Sequence, residues 1–288
     1  MKRVGLLLPA LFMIGFFMLL PLGLMAYVSF LERGVNGGVV WGSYTAEAYI
    51  QFLFERDLDD SLLLNTDYLQ IFLRSFTLSC ITSLLALLIG FPVALYMALQ
   101  PKPYRNLLIF LVTVPFWTNL LVRNYAWILL LRNNGLINDL LQGLGLEPLR
   151  MLYTPFAIGV GLTYSYLPFM VLPIYASLEK IDLRLVEAAF DLGADRRRAL
   201  TRVIIPLALP GIIAGTLLVF VPCLGAYVTP ELLGGGKSLM IGNLIQNQFG
   251  AARNWPFGSA LAFVLLGIVL LAMMLYLLRF RRTPEETT

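Results

Sequence analysis

The sequence predicts an all-α integral membrane protein built on six transmembrane helices, and three observations carry that reading. Of its 288 residues, 59% are hydrophobic and 13% are charged, against roughly 25% charged in soluble domains. Six apolar runs, 4–30, 75–99, 106–131, 151–178, 203–229 and 256–278, are each long enough to cross a bilayer. Charge collects between the runs and is densest at 187–206. The runs use up the length, so a single transmembrane domain, 1–288, is expected, with no segment left to bury a separate soluble core.

The first run follows Lys2 and Arg3. It is too long for a signal peptide and lacks a small-residue cleavage site, which predicts an uncleaved span. The loop after it, 31–74, carries Glu32, Glu47, Glu55, Asp57, Asp59, Asp60 and Asp67 against Arg33 and Arg56. Two readings stay open: a field that concentrates cations, or acids left outside because bases are retained inside. An amphipathic turn over 67–74 is expected to lead into the second span. Prolines inside the runs, at 9, 21, 92, 115, 168, 173, 210 and 222, predict kinks that a bundle tolerates.

The third run holds Arg123, whose long side chain is expected to snorkel to the outer interface. Around it VPFWTNLLVRNYAW mixes Trp117, Asn119, Asn124, Tyr125 and Trp127 with apolar residues. Such aromatics form either an interfacial belt or a pathway lining able to hold an organic cation through ring faces. In the fourth run Tyr153, Tyr164, Tyr166, Phe169 and Tyr175 continue the theme. The hydroxyls of Tyr164 and Tyr166 need partners in the membrane, which turns both toward the bundle interior.

The segment 179–206 lies between the fourth and fifth runs, at a membrane surface. Asp182 can cap a first short helix whose apolar residues Leu185, Val186, Ala189 and Leu192 recur at helical spacing. Gly193 ends it, and Asp195 caps a second helix running toward Pro206. By pattern alone this is equally an interfacial amphipathic helix with a basic face.

After the fifth run, Gly236, Lys237 and Ser238 imitate the end of a phosphate-binding loop, but Glu231 stands where that motif needs glycine. A nucleotide site is rejected there, and 239–249 is read as a re-entrant or surface amphipathic element. With a cytoplasmic N-terminus, thirteen basic residues fall on inner segments and six on outer ones, so the positive-inside rule puts both termini and 179–206 in the cytoplasm. The net charge of +4 is spread beside the spans rather than in one patch, which argues against nucleic-acid binding. Cys80 and Cys223 lie in apolar runs with no CxxC, and the chain has no histidine. Buried packing thiols are expected, and neither a zinc site nor a disulfide framework.

The positions Glu187, Ala188, Ala189, Gly193, Val203, Ile205 and Pro206 resemble the cytoplasmic EAA loop of ABC-transporter permeases. Val203 replaces the usual Ile and Ile205 the usual Leu. VPFWTN at 114–119, LPFMVLPIYASLEK at 167–180, GGGKSLMIGN at 234–243 and NWPFG at 254–258 resemble the permeases of spermidine/putrescine (polyamine) ABC importers, in the same order and six-span layout. The resemblance implies a type I importer permease fold in a bacterial inner membrane. It also implies a second homologous permease, two ATPase subunits that bind ATP and Mg, and a soluble substrate-binding protein. Glu187, Ala188, Ala189, Gly193, Arg196 and Pro206 are then expected to dock the ATPase. Trp117, Asn119, Tyr164, Tyr166, Tyr227 and Glu231 are expected to line the pathway.

The residues themselves support a translocation subunit without catalysis of its own. There is no complete Walker motif, so ATP hydrolysis is expected on a partner. An intramembrane enzyme would need a polar catalytic set, and the runs contain no carboxylate, no histidine and no Gly-x-Ser-x-Gly elbow. A self-sufficient secondary transporter lacks a buried acid for ion coupling. For the cargo, a polyamine stands beside another small solute such as an opine, a phosphonate or ferric iron.

Overall fold

A computed structural model describes residues 2–56, 62–182 and 184–280. Asp57, Asp59 and Asp60 of the acidic loop, and Arg281 and Arg282 of the charge asymmetry, lie outside the described residues. Helix α1 (Lys2–Ser29) is followed by strands β1 (Leu31–Arg33) and β2 (Val39–Tyr44), helix α2 (Glu47–Ile50), and strands β3 (Phe54–Arg56) and β4 (Leu62–Leu64). Then come α3 (Asp67–Leu99), α4 (Lys102–Trp117), α5 (Leu120–Leu131), α6 (Leu136–Gly143) and α7 (Pro155–Leu178). The remaining helices are α8 (Arg184–Asp191), α9 (Arg196–Ala199), a π-helical turn (Leu200–Ile204), α10 (Ile205–Leu224), α11 (Val228–Gly234), α12 (Ile241–Phe249) and α13 (Trp255–Phe280).

Five helices are long and apolar enough to cross a membrane, or six if the bent pair after α3 counts as one span. All eight prolines of the runs lie inside helices. The expected third span is not one helix: α4 and the segment from α5 meet at 89°. Thr118 and Asn119 are extended, with ψ of 147° and 137°. Asn119 Oδ1 accepts from the Leu121 backbone N–H at 2.8 Å, so it starts a new helix inside the apolar run.

The chain divides into two units, residues 1–70 with 244–288, and residues 71–243. In the first, α1 packs along α13. The loop after α1 carries two antiparallel strand pairs, β1 with β2 and β3 with β4, which the reading as an acidic loop did not foresee. Their signal is local: Val35-Asn36-Gly37-Gly38 precedes a β-branched run, and both glycines take positive φ. Gly38 N–H donates to Arg253 O at 2.7 Å and Arg33 Nη2 to Ala252 O at 2.9 Å, which ties the hairpin to the stretch before α13.

The second unit is organised on α7 and α10. Met170, Val171 and Ile174 of α7, Ala208 and Val219 of α10, and Ala86, Ala94 and Met97 of α3 are fully buried together. A Cβ added at Gly215 would stand 3.0 Å from Met170 O and Sδ. The missing side chain is what lets the α10 backbone lie against α7, the small-residue approach by which membrane helices gain packing. The outward faces stay apolar, with Leu88 62% and Phe110 61% exposed, as a lipid-facing surface requires.

Cys223 is fully buried, but Cys80 is exposed, so only one of the two thiols packs inside the chain. The expected turn at 67–74 is simply the first part of α3, a continuous 33-residue helix. Tyr153 lies before α7 rather than in it, with φ of 61°.

Candidate functional site

Two places concentrate the residues singled out from the sequence: the loop before α10, and a cavity beside the middle of α7. In the loop, Asp182 Oδ1 accepts from Arg184 N–H at 3.0 Å and α8 begins there. Gly193, at φ +82°, ends the helix. Its N–H donates to Phe190 O and Ala194 N–H donates to Ala189 O, both at 2.9 Å, the paired bonds of a Schellman cap. Asp195 Oδ1 accepts from Arg198 N–H at 2.7 Å and caps the second helix, as expected.

That second helix does not stop at Pro206. It passes through the π turn, where Ile205 N–H donates to Leu200 O, and continues as α10. Pro206 has no N–H for Arg202 O, and the wider turn accommodates the loss. Glu187, Ala188, Gly193, Arg196 and Pro206 are exposed and Ala189 is partly so; α8 buries none of its described residues. Leu185 and Phe190 are 51% and 46% exposed, so α8 keeps apolar surface open.

Behind α8 lies a cavity of about 440 Å³, walled by residues including Leu95, Ala98, Leu178, Val186 and Phe190. At its edge Arg105 Nη1 meets Glu179 Oε1 at 3.4 Å, linking the start of α4 to the end of α7. The pair is partly solvated, which limits it to about 0–1 kcal/mol. Its use is positional: it holds α4 at the root of the loop.

The second cavity, about 320 Å³, gathers Phe116, Arg123, Tyr166, Phe169 and Tyr227. Tyr166 Oη donates to Pro222 O at 3.3 Å, so its hydroxyl is satisfied inside the bundle. Tyr164 is half-buried too and meets Trp127 edge-on, with ring centroids 5.6 Å apart. Of the six residues expected along a pathway, Tyr166 and Tyr227 line this cavity. Trp117, 81% exposed, and Asn119, the α5 cap, are outside its lining. Glu231 is outside it as well, accepting from Asn243 Nδ2 at 2.8 Å, while the same nitrogen donates to Tyr227 O at 2.9 Å.

Arg123 is the residue whose surroundings the sequence left unspecified. It is half-buried and lines the cavity with Tyr166. Nη2 donates to Thr118 O at 3.1 Å, and Nε is buried with no hydrogen-bond partner. The Thr-Asn cap and the bend it makes were the available signal. The Gly236–Ser238 resemblance to a phosphate loop fails in space as well, because Gly235 is the C-cap of α11 and these residues follow a helix end.

A helical bundle of membrane length, with an exposed amphipathic elbow leading without a break into one span, is the architecture of a multi-span membrane protein. The profile of the binding-protein-dependent transport system inner membrane component family matches residues 86–283, and the chain belongs to that family, the inner-membrane permeases of ABC transporters. It is 43% identical over 263 residues to the spermidine/putrescine transport system permease protein PotB of Haemophilus influenzae, covering 91% of this chain and 87% of the relative. It is 42% identical over 231 residues to the protein of the same description from Escherichia coli, covering 80% and 84%. Among solved structures, a bacterial ABC transporter involved in the import of the acidic polysaccharide alginate aligns with a TM-score of 0.65 at 21% identity, over 98% of this chain and 96% of that one. That likeness concerns the fold.

Proposed function

We propose that this chain is the permease subunit of an ATP-driven importer of polyamines, spermidine and putrescine in particular. The observation that carries the cargo is the 43% and 42% identity, over most of the chain, to permeases described as spermidine/putrescine transporters. The observation that carries the mechanism is the elbow at Gly193, beyond which exposed α8 leads through α9 and the π turn into α10. In this reading both termini and residues 179–206 are cytoplasmic. Two ATPase subunits hold ATP and Mg. A second homologous permease completes the pathway, and a soluble binding protein delivers cargo from outside.

Glu187, Ala188, Ala189, Gly193, Arg196 and Pro206 form the coupling surface. Ala188 and Ala189 let a partner come close to the α8 backbone, Glu187 offers a charge-assisted bond, and Arg196 faces the ATPase or the anionic lipid surface. Tyr166 and Tyr227, with Trp117, Asn119, Tyr164 and Glu231 around them, contribute this subunit's side of the pathway. Aromatic faces and backbone carbonyls suit a cargo that must be released as well as held. The runs of this chain supply no carboxylate and Glu231 is its nearest acid, so further acidic groups for a polyamine come from the partner permease.

The test is uptake of radiolabelled spermidine and putrescine into vesicles containing the partner subunits, with and without this chain. ATP-dependent uptake that appears only with the chain establishes the cargo. An assembled complex that takes up neither amine removes the cargo and leaves the family membership standing.

A further inference from the structure

We propose that Arg123 receives a carboxylate side chain from a second, different permease subunit, at mid-membrane depth. This rests on the paired permeases proposed above and not on the cargo. Three observations point to it. Arg123 is the one charged residue in the run 106–131. Among the described residues it forms no ion pair, and its buried Nε has no partner. The lining of its cavity includes no Asp or Glu, and Glu231, one turn beyond Tyr227, takes its hydrogen bond from Asn243. A guanidinium in a membrane span without a counter-charge is expensive and marks a functional contact.

The depth of the cavity narrows the source of the charge. Tyr166 is the twelfth of the 24 residues of α7, so its Cα lies about 17 Å from either end of that helix. A soluble binding protein or ATPase does not reach that depth, and lipid carries no charge there. A cationic cargo repels the guanidinium. A second copy of this chain offers no free acid either, because its six runs contain no Asp or Glu and Glu231, the acid nearest this depth, is held by Asn243. What remains is a different membrane-embedded chain with an intramembrane acid. Phe116 and Leu120, exposed by 51% and 38% at the cavity, supply the apolar surround in which such a pair excludes water.

The experiment is recovery of the partner permease with tagged wild-type chain, Arg123→Lys and Arg123→Glu from the same membranes, with each chain's own membrane level as the folding control. The expected result is near-normal recovery with Arg123→Lys. Arg123→Glu should reduce recovery at least about tenfold at an unchanged membrane level. Replacing one intramembrane Asp or Glu of the partner with Lys or Arg should restore it. Undiminished recovery with Arg123→Glu overturns the proposal, and so does a loss that no single charge swap restores. If the wild-type chain recovers no second permease, the paired-permease reading fails along with it, whereas failure confined to the variants leaves that reading intact.

Discussion

The hydroxyl of Tyr166 donates to the carbonyl of Pro222 across 3.3 Å, joining the middle of α7 to the last turn of α10. Pro222 O belongs to the four carbonyls that end α10 without a partner in their own helix, and the tyrosine hydroxyl supplies one from across the cavity. Tyr166→Phe keeps the ring and removes the bond. It should cost about 0.5–1.5 kcal/mol, the net worth of one hydrogen bond whose acceptor can turn to water instead. A lowered midpoint of thermal unfolding of the detergent-solubilised chain, with normal membrane insertion, is the expected reading.

Gly193 takes φ of +82°, and a Cβ added there would meet nothing within 4 Å, so a substitution meets backbone strain rather than a clash. Gly193→Val should destabilise the elbow by about 1–2 kcal/mol, and Gly193→Asn should be milder. Insertion should persist while ATP hydrolysis proceeds without matching uptake. Normal uptake in the valine variant would sink the role given to the elbow.

Asp195 caps the helix that becomes α10. Asp195→Ala should remove about 1 kcal/mol of local stability, read as faster amide exchange at Arg196–Ala199. Asp195→Asn keeps an acceptor and should exchange much like the wild type.

Between α7 and α10 the space is already filled. Gly215→Val should push the helices apart at Met170, an overpacking cost of about 1–3 kcal/mol. Gly215→Ala should show the same sign at smaller size in a thermal-unfolding series.

Most of the architecture can be read from the chain because a membrane span is a length and a composition. The caps at Asp182 and Asp195 and the glycine at 193 were legible because each is a local backbone requirement. The break at Thr118 and Asn119 was not, since an apolar run conceals a cap whose signal is only two residues long. The setting of Arg123 was hidden for a related reason: hydropathy gives depth along the run but not the face on which a side chain emerges after a bend. Cys80 illustrates a limit peculiar to membranes. Lipid and protein interior are equally apolar, so an apolar setting does not say which of the two a thiol faces. The two strand pairs after α1 carry their own turn glycines but lie among acids that drew attention to charge.

The π turn at Leu200–Ile204 gives the loop a hold on the span that is rotational as well as mechanical. Each residue advances an α-helix by about 100°, and a π turn is an α-helical turn carrying one extra residue. The azimuth at which α10 leaves the loop is therefore set by that one residue. With it in place, Gly211 and Gly215 face Pro173 and Met170 of α7. Without it, the same helix would enter the bundle out of phase, presenting bulkier neighbours to α7, and the seam of the second unit would not close.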